Sequence, residues 1–372
     1  MARSVSVSQL PCPRCGATVR ADASHCGSCG TPQTKDDPPE SWVGRTVDGK
    51  YRVERILGVG GMGMVFAARR VLVGDEVALK VLFPRFLESP LQRRLFRDEA
   101  VAAARLSHPN VVTVFDADYE AQPEAGRPAV AYIAMELLRG RTLKALLKER
   151  SPMPAGEVVR LAEEICDGLA AAHDAGVVHR DLKPDNIFLE ALPGRGPGAR
   201  ERVKLVDFGI AAMLDVDPRD EQRKLLGTLR YMAPEQAAGA PVGPTADLYA
   251  LGVILYEALT RRRATGKSVS AVLQDAVQPP NVWLPGDRQL PRSLEQLVLA
   301  LLEKDPSARP QTALAVKDRL FAGAPRLDAE PTVVAPPEPP PRAEGDRTLL
   351  RALLGAIAVG VLGGVLYAIF GG

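Results

Sequence analysis

Within "VVHRDLKPDNIFLE" (177–190), three polar side chains stand at a spacing that suits phosphoryl transfer. Asp181 can accept a hydroxyl proton, Lys183 can neutralise a transferred phosphate, and the amide of Asn186 can ligate a metal. A charged surface loop seldom presents these three residues in this order by chance. Upstream, "GVGGMGMV" sets Gly58, Gly60 and Gly63 at G-x-G-x-x-G spacing. Alone, that spacing serves a tight turn as readily as a nucleotide. Here Val65 and Phe66 continue into a second strand instead of opening a helix, so the glycines read as a hairpin tip whose bare backbone can approach phosphates. The hairpin favours ATP over NAD. Lys80, in "VALK", follows on the next strand, where its cation can hold the α- and β-phosphates. Glu99, on a helical stripe with Phe96, Ala103 and Leu106, is the acid expected to pair with it, with Asp98 as competitor.

The elements that must hold these groups are legible from periodicity. "YRVERIL", "MVFAARRVL" and "EVALKVLF" are short β-rich runs separated by Gly-containing turns, the pattern of an antiparallel meander. "EVVRLAEEICDGLAAAHDAG" repeats apolar residues at helical spacing, and "TADLYALGVILYEALT" is apolar nearly all round, which predicts a buried helix. A small β-rich lobe followed by a larger helical lobe is expected, of class α+β. "GRGPGARER" (194–202) reads as a surface loop.

With the motifs in this order, residues 51–322 resemble a protein kinase catalytic domain of the bacterial serine/threonine type, with its bilobal fold. The resemblance implies ATP and Mg²⁺ as cofactors, Asp181 as catalytic base with Lys183 beside it, Lys80 and Glu99 as the ion pair, and Asn186 and Asp207 as Mg²⁺ ligands. Asp207 opens the "DFG" motif. The nucleotide site implied comprises Leu57, Gly58, Gly60, Gly61, Gly63, Val65, Ala78, Lys80 and Phe188, with Met135 as gatekeeper and Glu136 to Leu138 as the hinge against adenine. Three further matches are structural: "APE" (233–235), Asp247 at the head of the buried helix, and Arg309, the expected ion partner of Glu235. Protein substrates follow from the resemblance.

The flanks carry separate expectations. The chain has 372 residues, 46% apolar and 25% charged, and its net charge of +2 is too small to argue for a nucleic-acid partner. Cys12, Cys15, Cys26 and Cys29 form two Cys-x-x-Cys pairs within residues 1–30, which lack a signal-peptide core. They are expected to hold a structural Zn²⁺ in a zinc ribbon, a candidate surface for a cytoplasmic protein partner. The ribbon has no aromatic residue for stacking bases, which argues against nucleic acid. Residues 31–50 read as a linker, and 323–348 as a Pro-rich tether. Residues 352–372 carry no charge over 21 positions, enough for a transmembrane anchor within 349–372. Arg342, Arg347 and Arg351 before it place the kinase domain on the cytoplasmic side of a single-pass cell-membrane protein. Small residues at Ala352, Ala356, Gly360, Gly364 and Ala368 favour a homodimer through that helix.

Residues 210–227 contain no Ser, Thr or Tyr, so Asp215, Asp217, Asp220 and Glu221 are expected to stand in for an activating phosphate, with Thr228 the remaining acceptor. A pseudokinase or a zinc-ribbon interaction scaffold is the alternative, against which the intact Lys80, Asp181, Asn186 and Asp207 argue.

Overall fold

The computed structural model describes residues 9–11, 18–20, 38–60, 63–83, 90–120, 130–192, 201–208, 229–266 and 268–323. The four N-terminal cysteines, Gly61, the 209–228 segment with Thr228, and residues 324–372 with the tether and apolar anchor lie outside them. Among the described residues, no helix is long and apolar enough to cross a membrane. Near the N-terminus, β1 (Gln9–Pro11) pairs antiparallel with β2 (Thr18–Arg20), with Leu10 opposite Val19.

The first lobe is built on a six-stranded sheet of order β3-β4-β5-β6-β8-β7. Its strands are β3 (Thr46–Val47), β4 (Tyr51–Val59), β5 (Gly63–Arg70), β6 (Glu76–Leu82), β7 (Val114–Tyr119) and β8 (Ala131–Glu136). Helix α1 (Pro90–Ala104) packs on β7. Met64, Phe66, Ala68, Leu79 and Tyr132 are buried in the sheet's core, as the alternation of apolar residues predicts. The meander is present, and the Gly-rich run joins two antiparallel strands, so it is a hairpin and not a strand-to-helix turn. Gly60 donates its N–H to the Gly63 carbonyl at 2.8 Å.

One boundary differs from the sequence reading. Residues 38–50, read as linker, form part of the lobe. Trp42 is buried, stacks on Phe66 with centroids 5.9 Å apart, and carries the Arg45 guanidinium 4.1 Å from its ring centroid. Arg45 is buried too and binds Glu120 at 2.6 Å. Val47, on β3, is fully buried. The prolines and charges of this stretch resemble a linker because only three large apolar residues, Trp42, Val43 and Val47, are spread over it, too few to set a period.

The second lobe is helical. It contains α2 (Leu143–Arg150), α3 (Ala155–Asp174), α4 (Pro234–Ala237), α5 (Pro244–Thr260), α6 (Val269–Gln274), α7 (Arg292–Leu301) and α8 (Ala313–Gly323). A small sheet of order β11-β10-β9 faces the first lobe, from β9 (Gly140–Thr142), β10 (Ile187–Ala191) and β11 (Glu201–Leu205). Glu201 and Arg202 therefore belong to a strand, which shortens the surface loop expected at 194–202. α5 is the buried helix anticipated from its composition, and a Cβ on Gly252 would sit 2.7 Å from that of Leu301, so no other residue lets α7 pack this closely. Cys166 is fully buried on α3, and burial above all pushes its thiol pKa up to about 12, which fits an unreactive packing residue.

Glu235 and Arg309 meet in a buried two-pronged ion pair with both contacts at 2.7 Å, and the guanidinium also donates to the carbonyls of Glu303, Thr245 and Lys304. Removing Arg309 strands a buried carboxylate and three carbonyls. Arg309→Ala is expected to cost about 3–5 kcal/mol in a urea titration of the helical lobe, although it touches no group in the cleft. The 38–50 segment, a strap packed on the sheet lobe through Trp42 and Arg45, predicts a second outcome. Deleting residues 1–37 should leave the thermal midpoint of the folded domain unchanged, while deleting 1–50, or Trp42→Ala alone at about 3–5 kcal/mol, should lower it.

Candidate functional site

The site is built from the loop that follows α3. Asp247, at the head of α5 and buried, accepts the backbone N–H of His179 on Oδ2 and that of Arg180 on Oδ1, both at 2.8 Å. His173, in the last turn of α3, meets the same Oδ2 at 2.8 Å. These contacts hold Arg180 at φ +61°, a left-handed conformation that costs a non-glycine residue about 1–3 kcal/mol. The turn presents Asp181. Lys183 Nζ donates to Asp181 Oδ2 at 2.6 Å, and Asn186 Nδ2 donates to the same oxygen at 3.1 Å and to the Asp181 carbonyl at 2.9 Å. The three residues singled out by spacing thus form one hydrogen-bonded cluster. Because both donors fall on Oδ2, Asp181 Oδ1 has no partner among the described residues.

Asp207 follows β11 and sits at φ +58°, again left-handed. The strand is registered on the loop, since Val206 donates its N–H to the Asn186 carbonyl at 3.0 Å. His179 fixes the next residues: its Nε2 lies 3.1 Å from the Val206 carbonyl, and its ring lies against Phe208 with centroids 4.6 Å apart. Lys80 reaches down from β6 to place Nζ 2.7 Å from Asp207 Oδ1. Burial works to raise the Asp207 pKa, but the Lys80 charge and hydrogen bond outweigh it and hold the carboxyl below its usual range. A depressed carboxyl adds stability that is present above its unfolded pKa of about 3.9 and is lost only as pH falls through the lower folded value. Asp207 is therefore an anion at neutral pH. Glu99, the expected partner of Lys80, lies on α1 with its side chain outside the described part, and the described partner of Lys80 is Asp207.

The remaining residues named from sequence fall on the strands of the two sheets and on the segment that joins them. Val65 stands opposite Lys80 across β5 and β6, Ala78 is buried opposite Met135, and Phe188 is half-buried on β10. Glu136 ends β8, and Leu137 and Leu138 run on to β9, half-buried against the first lobe. Leu57 is exposed, near the hairpin tip. The glycines there divide into two kinds. A Cβ on Gly63 would come within 2.1 Å of the Val81 carbonyl, so packing on β6 demands glycine. At Gly58 a Cβ would meet nothing within 4 Å, and at Gly60 only the Gly63 carbonyl at 3.7 Å. Neither packing nor backbone conformation explains glycine at those two positions, whereas a ligand approaching the bare backbone does.

Several neighbours of the cluster were not singled out by the sequence reading. His173 and His179 carry no spacing signal, because their partner Asp247 is more than sixty residues away. Gln236, which donates to the Arg180 carbonyl at 2.8 Å, gave none either. Lys204 gave a faint one, a charge within the apolar run "VKLVD".

Comparison with known proteins agrees with this geometry. The protein kinase domain family matches residues 51–321. Serine/threonine-protein kinase pkn3 of Myxococcus xanthus is 39% identical over 321 residues, covering 81% of this chain and 56% of the relative. Serine/threonine-protein kinase PknA of Mycobacterium tuberculosis is 35% identical over 297 residues, covering 79% and 66%. The chain thus spans between about half and two thirds of the length of these relatives. The crystal structure of the Mycobacterium tuberculosis PknI kinase domain superposes with a TM-score of 0.58 at 26% identity, over 76% of this chain and 98% of that one. A β-sheet lobe and a helical lobe in this order, the clustered Asp181, Lys183 and Asn186, and these relatives lead to one conclusion: the chain belongs to the protein kinase family, among the bacterial serine/threonine-protein kinases.

Proposed function

We propose that the chain transfers the γ-phosphate of ATP to serine and threonine hydroxyls of proteins, itself included. The observation that carries this reading is the convergence of Lys183 and Asn186 on a single oxygen of Asp181, which leaves the other oxygen to accept a hydroxyl proton. Lys183, 2.6 Å from that carboxylate, supplies a cation where the transferred phosphate would pass. Lys80 can hold the α- and β-phosphates, and the open backbone at Gly58 and Gly60 can receive them.

The residues present also fit magnesium. Asn186 spends its Nδ2 on Asp181, so its amide oxygen remains to ligate, and Asp207 is a hard anionic oxygen donor. Two such ligands suit Mg²⁺, which takes its other positions from phosphate and water, and among the described residues no group of three His, Cys, Asp or Glu gathers to enclose a metal. Asn186 and Asp207 would hold magnesium, which would supply charge to offset that of the nucleotide phosphates.

The flanking segments complete the proposal. Residues 1–30 form a zinc ribbon on Cys12, Cys15, Cys26 and Cys29, a reading supported by the pairing of β1 with β2 on either side of the first Cys-x-x-Cys pair. The ribbon offers a surface to a cytoplasmic protein partner. Residues 323–348 tether the kinase to a single-pass anchor at 349–372, supported by 21 uncharged positions behind three arginines, and the small-residue face of that anchor brings two chains together. The acidic residues of 210–227 take the place of an activating phosphate.

With the full chain in detergent or vesicles, radiolabelled ATP should phosphorylate the wild type, and Asp181→Asn should lower the rate by about 10²–10⁴-fold with nucleotide affinity retained. Equal rates would refute the role of Asp181, and no incorporation by either form would favour the scaffold reading. Metal analysis should find one zinc per chain, lost on Cys12→Ser. A chain free of zinc would remove the ribbon from the proposal.

A further inference from the structure

Lys204 is a buried lysine on β11, three residues before Asp207. Its Nζ donates to Glu136 Oε1 at 2.7 Å and approaches the Val111 carbonyl at 3.4 Å. The same Glu136 oxygen accepts the Thr113 N–H at 2.7 Å, while the Glu136 N–H donates to the Thr113 carbonyl at 3.0 Å. Three segments therefore meet on one carboxylate: the end of β8, the 111–113 stretch, and β11. The stretch is itself tied to β11, through Leu205 N–H to the Asn110 carbonyl and Val112 N–H to the Leu205 carbonyl, both at 2.9 Å. Lys204 also stands directly opposite Phe188 in the antiparallel register, so the two side chains leave the sheet on the same face.

A buried ammonium is costly unless its partners are fixed, and here one of those partners begins the segment between the lobes. We infer that Lys204 is a positioning residue for the adenine end of the nucleotide site, which its grip on Glu136 sets at a fixed height above the floor formed by Phe188. This rests on the nucleotide-binding reading above. The charge is spent on Glu136, 2.7 Å away, so Lys204 acts through the backbone that Glu136 anchors and takes no part in the transfer itself.

The test is calorimetric binding of adenosine and of ATP to the full chain, alongside the KM for a protein substrate. Lys204→Met should weaken adenosine and ATP by the same factor, about tenfold, because the defect lies at the adenine end. The KM for the protein substrate should stay within twofold of wild type, a split that a general loss of stability would not produce. Should Lys204→Met fail to fold, Glu136→Gln provides the second reading. It is isosteric, keeps an acceptor for the Thr113 N–H, removes the charge that Lys204 needs, and should weaken adenosine severalfold. In the combined variant the two losses should not add, since both break one contact. Adenosine affinity within twofold of wild type in either folded variant, or additive losses, would overturn the role of Lys204 alone. Absence of adenosine binding by the wild type would overturn the nucleotide-binding reading and this inference with it.

Discussion

Asp247 is a carboxylate kept from water at the head of a helix that is itself buried, and it spends both oxygens on the backbone of another segment. A buried charge survives only when it is fully engaged, and its partners here are the two amides that shape the turn before Asp181. Everything in the cleft inherits its coordinates from that arrangement. The left-handed turn at Arg180 aims Asp181, whose carbonyl and carboxylate orient Asn186, whose carbonyl registers the strand leading to Asp207. The chain of contacts is short and every link is a hydrogen bond of 2.6–3.1 Å. A helix at the centre of one lobe thereby fixes the Asp207 carboxylate, which pairs with Lys80 of the other.

The two lobes are coupled across the cleft by charge as well as by chain. Lys80 from the sheet lobe and Asp207 from the helical lobe form one pair, and Lys204 and Glu136 form another about the hinge. In the first pair the lysine is buried and the carboxylate is partly open to solvent. The second is more enclosed.

Much of this was readable before any coordinates. The hairpin around the glycines, the amphipathic α3 and the buried α5 follow from local periodicity, and Asp181, Lys183 and Asn186 lie within six residues, so their spacing alone brings them together. The Glu235–Arg309 pair was accessible through resemblance, not through pattern. What sequence could not supply were contacts with large separation and no period. Asp247 was marked as structural, yet its grip on His173, His179 and Arg180 had no local trace. Trp42 and Arg45 were hidden in a stretch with linker composition, because composition reports an average and a single buried tryptophan hardly moves it. Lys204 was hidden in a strand for the opposite reason, as one charge in an apolar run.

The strap over the sheet lobe has a consequence for how the protein is made. Trp42 and Arg45 leave the ribosome before their partner, since Glu120, the carboxylate that Arg45 needs, lies 75 residues further on. At about 5–20 residues per second, that interval lasts on the order of 4–15 s, during which an indole and an uncompensated guanidinium have no home. The sheet can begin to pair over β4, β5 and β6 in the meantime, yet β6 has no outer neighbour until β8, which follows β7 in the chain, has been synthesised. The nascent chain therefore carries an adhesive segment while the next 75 residues are made, and closing the strap is a long-range step in the folding of this lobe.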